Sequence, residues 1–217
     1  HMPTWINHFR VVDTFIDKLY NTNPEYFLIG TIAPDCGMPT GVSGQYIPPS
    51  SVTHFAKELG KTDCDYKYVY NTFVKNEKDE KKRAFFLAYS IHLFEDSIFA
   101  KIIFKPIEDK YGDFRTHDDV RKRFSFERNT VDMMFLSNNT SPSFELFKKC
   151  KPFCESYPEW YEKGVIAARQ RDVSELYENP TFEKTDFKYV TPEIIDNFIT
   201  VTSQLVPIEF KDSGIFD

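Results

Sequence analysis

Apolar residues Trp5, Phe9, Val12, Phe15, Ile16 and Leu19 recur three and four positions apart, with Arg10, Asp13 and Asp17 between them. That period predicts an amphipathic helix over 5–20. The break at 21–24 ends it, and the apolar run from Tyr26 to Ala33, which helix or strand can claim on length alone, reads as a buried helix ending at Pro34. The pattern then collapses. Gly37, Pro39, Gly41, Gly44, Pro48 and Pro49 crowd the stretch 35–51 and predict a long irregular loop, of a length that usually carries function. A short helix capped by Ser50 or Ser51 and carrying His54, Phe55 and Leu59 is expected next.

The charged stretch 75–82 reads as the solvated start of a helix whose body, Ala84 to Ala100, is apolar almost all round. Such a helix belongs in the middle of a bundle, so any polar group inside it needs a partner. Beyond Pro106 the chain turns polar, followed by an amphipathic stretch around 120–135 and a turn cluster at 137–142. A helix interrupted near Pro152 and Pro158 is expected over 144–171, and a last one from Pro192 through Leu205. With no internal repeat or low-complexity tract, the expectation is one all-α domain over 3–217, a helical bundle around a central buried helix with a long Gly/Pro loop.

Composition narrows the function classes. Hydrophobic residues make up 41% of the 217, enough for a core, and the 22 Phe and 12 Tyr suit one built from bulky rings. The net charge of −6 argues against bulk electrostatic grip on a polyanion, so long nucleic acid is not an expected partner, although a local metal site can still bind phosphate. No apolar run reaches the roughly 18 residues of a membrane span. The start lacks a basic-then-apolar export pattern, so a cytoplasmic location is expected. His1 and Met2 read as a tag remnant, which leaves His1 out of the chemistry. Cys36, Cys64, Cys150 and Cys154 are expected as reduced thiols. Oligomeric state does not follow from any of this.

The chemistry concentrates on the buried helix, where His92 and Asp96, four apart, project from one face. A buried carboxylate must be paired, hydrogen-bonded or metal-bound. A core histidine bonded to a helical aspartate, inert but important for folding, and a metal site both satisfy that requirement. Glu95 points about a hundred degrees from Asp96 around the axis and reads as supporting or surface. His8, His54 and His117 each lie beside a carboxylate or a punctuated loop, and Asp35 stands at the mouth of the Gly/Pro loop. Imidazole with carboxylate is the donor set that zinc favours in hydrolytic sites.

Four strings then act together: Pro-Thr-Trp-Ile-Asn-His from Pro3, Gly-Thr-Ile-Ala-Pro-Asp ending at Asp35, Thr-His-Phe from Thr53, and Leu-Ala-Tyr-Ser-Ile-His-Leu-Phe-Glu-Asp ending at Asp96. In order and spacing the first half of the chain resembles the zinc-dependent bacterial phospholipase C family, all-helical and related in arrangement to single-strand-specific nucleases. The resemblance implies that Asp35, His54, His92 and Asp96 hold one zinc, and that Asp96 bridges to a second zinc also held by His8. Asp35 would serve as general base as well as ligand, on a phosphodiester or phospholipid head group, with loop residues including Tyr46 shaping the mouth. Two positions depart from the family. Its N-terminal tryptophan ligand matches an internal Trp5, and its third-zinc histidine matches Ile102, with His117 the candidate replacement. One or two zinc ions are therefore expected. The implied activity is zinc-dependent phosphodiester hydrolysis. The alternative is a non-catalytic helical protein with a structural zinc shell.

Overall fold

The computed structural model describes residues 3–42, 45–56 and 63–217. Its first helix, α1 (Trp5–Asp13), is capped by the Thr4 side chain, which accepts from the amide of Asn7. It stops sooner than the apolar period suggests. The Thr14 hydroxyl donates to the Val11 carbonyl, Phe15 leaves helical geometry, and the chain continues as a 3-10 turn over Ile16–Asn21. The kink turns the Phe15 ring onto Phe27 and Phe216, so the apolar pattern is honoured by packing rather than by one continuous helix.

Helix α2 (Pro24–Ile32) opens with Asn23 as cap and Pro24 in its first turn, then runs into a 3-10 turn over Ala33–Asp35. After it come two short strands, β1 (Met38–Pro39) and β2 (Tyr46–Ile47), paired antiparallel with Met38 opposite Ile47 and Pro39 opposite Tyr46. Helix α3 (Ser50–Thr53) starts after Pro49 itself rather than after a serine cap. Leu59, expected on that helix, lies outside the described residues.

Helix α4 (Tyr66–Phe73) precedes the central helix α5 (Glu80–Phe99), whose first turn is capped by Asp79 accepting from the amides of Lys81 and Lys82. From Ala84 to Phe99 every residue of α5 except Phe94 is buried, as its composition requires. Gly30 makes the crossing of α2 on α5 possible. A Cβ there would stand 2.9 Å from the Phe85 carbonyl carbon and 3.0 Å from the Ala88 Cβ, so the two backbones come closer than any side chain allows.

A π-helical turn (Ala100–Phe104) leads into α6 (Lys105–Tyr111), which takes in the start of the polar stretch beyond Pro106. Helix α7 (Asp118–Asn138) extends beyond the amphipathic stretch at both ends. Helix α8 (Pro142–Lys148) is capped by Ser141, and α9 (Val165–Leu176) begins after Gly164. No helix spans 149–164, which corrects the expectation over 144–171. Pro152 and Pro158 each lack the amide donor a helix interior needs, and the segment instead lays Phe153, Tyr157 and Trp160 against Phe85, Phe86 and Tyr89 of α5. The last helix, α10 (Pro192–Glu209), begins at the expected proline and continues past Leu205.

One cluster of buried side chains joins α1, α2, α5, α7 and α10 into an all-α bundle. On α7, Glu127 accepts from the amides of Lys188, Tyr189 and Val190 at 2.7, 2.7 and 2.8 Å and from Arg123 Nε at 2.7 Å. This carboxylate holds the segment before α10 in place. Among the described residues no helix is long and apolar enough to cross a membrane.

Candidate metal centre

Four elements deliver polar side chains to one buried point. Helix α1 brings His8, the turn after α2 brings Asp35, the residue after α3 is His54, and α5 carries His92, Glu95 and Asp96. All six are 0–1% exposed. His54 is held in place by its successor. Phe55 takes a left-handed backbone (φ 48°) and packs its ring on Tyr89 and Trp160, and that contact offsets a conformation non-glycine residues avoid.

The hydrogen bonds orient the rings. His92 Nδ1 lies 2.8 Å from the Thr31 carbonyl, an acceptor only, so Nδ1 carries the proton. Burial holds the His92 pKa below its usual value against the pull of Asp96 and Asp35. A neutral ring with its proton on Nδ1 presents a lone pair at Nε2, and that lone pair faces Asp35 Oδ2 at 3.8 Å and Asp96 Oδ1 at 3.7 Å. His54 Nδ1 bonds the Thr53 hydroxyl at 2.8 Å, while its Nε2 lies 3.1 Å from Asp35 Oδ1 and 3.3 Å from Asp96 Oδ2. His8 Nδ1 pairs with Glu95 Oε2, and its Nε2 stands 3.7 Å from Asp96 Oδ1. The His8 and His92 rings stack with centroids 3.8 Å apart.

A lone pair aimed at two buried carboxylates is repulsive unless a cation lies between them. Neither His92 Nε2 nor His54 Nε2 makes a hydrogen bond among the described residues. The spacing also suits zinc. Nitrogen and oxygen ligands bound tetrahedrally at about 2.0–2.1 Å stand roughly 3.3 Å from each other, and the facing atoms here are 3.1 to 3.8 Å apart. Two groups of donors lie close enough together to hold a metal ion, His8 with Asp35 and His92, and His54 with His92 and Asp96. Each ring is also turned by a bond on its other nitrogen, the arrangement that orients histidine ligands in zinc sites. The donor set fits zinc.

Five of the six histidines and aspartates singled out in the sequence therefore meet. His117 does not join them. It is exposed at the start of α7, with its ring against Gly112 and Nδ1 2.9 Å from the Thr116 hydroxyl. Ile102, 40% exposed, lies in the π-helical turn beyond α5. Glu95, which composition left open between support and surface, is buried and orients His8; the all-round burial of its helix was the available signal. Burial, with Asp96 alongside, pushes Glu95 well above the usual carboxylate range.

A second buried network had no advance signal beyond an i, i+4 pair on α7. Asp132 accepts from the Thr4 hydroxyl at 2.9 Å and the Tyr177 hydroxyl at 3.1 Å, and burial pushes it up to about 7. Burial lowers the Arg128 pKa, while the carboxylates of Asp132, Asp35 and Asp96 pull it back up.

Comparison with known proteins agrees with the geometry. The family model described as zinc-dependent phospholipase C matches residues 7–101, and no curated protein and no solved structure matches the chain. His8, Asp35, His54, His92, Glu95 and Asp96 all fall inside the matched segment, whereas Arg128, Asp132 and His117 fall outside it. Over residues 7–101, which carry every residue of the candidate metal centre, this chain is similar to the zinc-dependent phospholipase C family.

Proposed function

We propose that the chain is a zinc-dependent phosphodiesterase that cleaves the phosphate ester of a phospholipid head group or a soluble diester of the same chemistry. The observation that carries this reading is the unprotonated face of His92 turned toward Asp35 and Asp96, all three buried. Asp35, His54, His92 and Asp96 would hold one zinc, and His8 with the shared carboxylates a second. Bound there, zinc supplies a water that ionises near neutral pH and positive charge for the phosphoryl oxygens.

The chain's own residues supply the rest. Asp35 stands at the mouth of the Gly/Pro loop with both oxygens directed at histidine rings, and as general base it would take the proton of the attacking water. The Thr31 carbonyl fixes the His92 tautomer, and Glu95 fixes the His8 ring.

The other reading, a zinc shell without turnover, draws on Ile102 at the third-zinc position and on the distance of His117 from the cluster. Hydrolysis of bis(4-nitrophenyl) phosphate by zinc-loaded protein decides between them. Turnover that EDTA abolishes and zinc restores, with a loss of about a hundredfold or more in Asp35→Asn, supports the enzyme. Full zinc content with no turnover on this diester or on phosphatidylcholine contradicts it.

A further inference from the structure

The chain is 28% charged, yet between Asp35 and His54 it has no Asp, Glu, Lys, Arg or His. The connection between α9 and α10, by contrast, carries Glu178, Glu183, Lys184, Asp186 and Lys188. The stretch between Asp35 and His54 presents apolar side chains to solvent instead: Met38 is 41% exposed, Val42 57%, Ile47 67% and Val52 41%. Met38 and Ile47 are direct partners across the β1–β2 pair, so their side chains leave the same face of the hairpin. A single exposed apolar residue needs no explanation, but several on one uncharged projection mark a surface built to be covered.

The hairpin is fastened at its root. Gly37 sits so close to β2 that a Cβ would stand 3.0 Å from the Pro48 carbonyl oxygen, and Arg169 of α9 donates to the Gly37 carbonyl at 2.9 Å. Its two ends are the residues of the metal centre themselves, Asp35 before it and His54 after it. Whatever covers the hairpin is thereby joined through the chain to two residues of the centre.

We propose that the β1–β2 pair and the helix α3 that follows it dock the protein on a zwitterionic lipid bilayer, with Met38, Val42, Ile47 and Val52 entering the boundary between head groups and acyl chains. The proposal rests on the hydrolase reading for its choice of occupant, since a centre that cleaves phospholipid must meet a bilayer and the hairpin joins two of its residues. Charge sets the lipid class. A hairpin without cations on a molecule of net charge −6 gains nothing from an anionic surface and is repelled by it, while apolar insertion works on a neutral one.

The test is flotation of the full-length protein with phosphatidylcholine vesicles, read within minutes of mixing, alongside the double variant Val42→Asp, Ile47→Asp. The expected result is that the native chain floats and the variant's partition coefficient falls about tenfold or more. Phosphatidylglycerol vesicles are expected to bind the native chain more weakly. Both proteins should hydrolyse bis(4-nitrophenyl) phosphate at equal rates, because neither side chain belongs to the metal centre. Equal flotation of the two proteins, or flotation of neither, overturns the proposal. So does a variant whose only change is loss of a dimer in sedimentation velocity, which would make the hairpin an interface between copies. Flotation that depends on the hairpin with no hydrolysis by either protein would leave the docking surface standing and remove the hydrolase.

Discussion

Replacing Gly30 by alanine sets two effects of opposite sign against each other. In a helix interior alanine is favoured over glycine by about 1 kcal/mol, so an α2 that merely happened to contain a glycine would gain stability. At this crossing the added Cβ would stand 2.9 Å from the Phe85 carbonyl carbon and nearer still to its oxygen. Carbon atoms in contact sit at about 3.5–4.0 Å, so α2 and α5 must part by roughly 0.6–1 Å. The obstacle is backbone inside a fully buried helix, which cannot rotate aside. Overpacking of this kind costs typically 1–3 kcal/mol, sometimes more, and exceeds the propensity gain. At about 2–4 °C per kcal/mol for a chain of this size, the melting temperature should fall by several degrees. The same displacement moves Asp35, at the end of α2, away from His92 and Asp96 on α5. Metal sites tolerate only about 0.2 Å in ligand distance, so zinc affinity should fall together with stability. Calorimetry with and without zinc, and competition against a chromogenic chelator, read the two effects separately. A Gly30→Ala protein that melts higher and binds zinc as before would refute the argument that this close crossing builds the site.

Three further outcomes follow from other contacts. Glu127→Gln removes the charge that receives three amides and Arg123, and should cost about 2–4 kcal/mol at pH 7. Burial works against the Glu127 carboxylate, but the hydrogen bonds win and hold it below its ordinary 4.5. Its stabilisation is therefore complete above that pH and fades as pH falls through the lower folded value, so the gap between variant and native melting curves should close in acid; a gap independent of pH would contradict this. Glu95→Gln leaves the His8 ring without its carboxylate and should weaken one zinc by about 10–100-fold while sparing the other, a difference that calorimetric titration resolves and that equal weakening of both would deny. Thiol labelling with Ellman's reagent should find Cys154 first, since it is exposed; Cys150 is half-buried and pushed up to about 12, and Cys36 and Cys64 are buried, so rapid reaction of all four in native protein would show the core to be open.

The sequence was most legible where one physical requirement dominated. A helix apolar on every side, with His92 and Asp96 four apart, has few solutions other than a central helix with a polar partner waiting, and α5 is that helix. Capping chemistry located the start of α10 and the end of α2 within a residue or two. The misreadings arose where tertiary contacts compete with local pattern. Thr14 and the packing of Phe15 broke the first helix, and the aromatic side chains of 149–164 pack on α5 from an irregular segment. Within the candidate site, the histidines and aspartates that the fold brings together stood out because their types and spacing are distinctive. The Thr31 carbonyl that fixes the His92 tautomer belongs to the backbone, and no side chain announces it. Asp132 with Thr4 and Tyr177 joins residues more than a hundred and forty positions apart at its ends, a proximity that only the folded chain creates. His117 shows the converse, a histidine in an acidic stretch that the fold leaves at the surface.

The central claim is that the buried histidines and aspartates hold zinc, and elemental analysis of zinc per chain in protein dialysed against metal-free buffer tests it most directly, with His92→Ala and His117→Ala beside the native chain. The account predicts one or two tightly held zinc ions in the native protein, the same number in His117→Ala, and loss of zinc with a lowered melting temperature in His92→Ala, because metal binding and folding are linked. A native chain that takes up no zinc even when it is supplied, or a His92→Ala protein with unchanged zinc and unchanged melting, would contradict it.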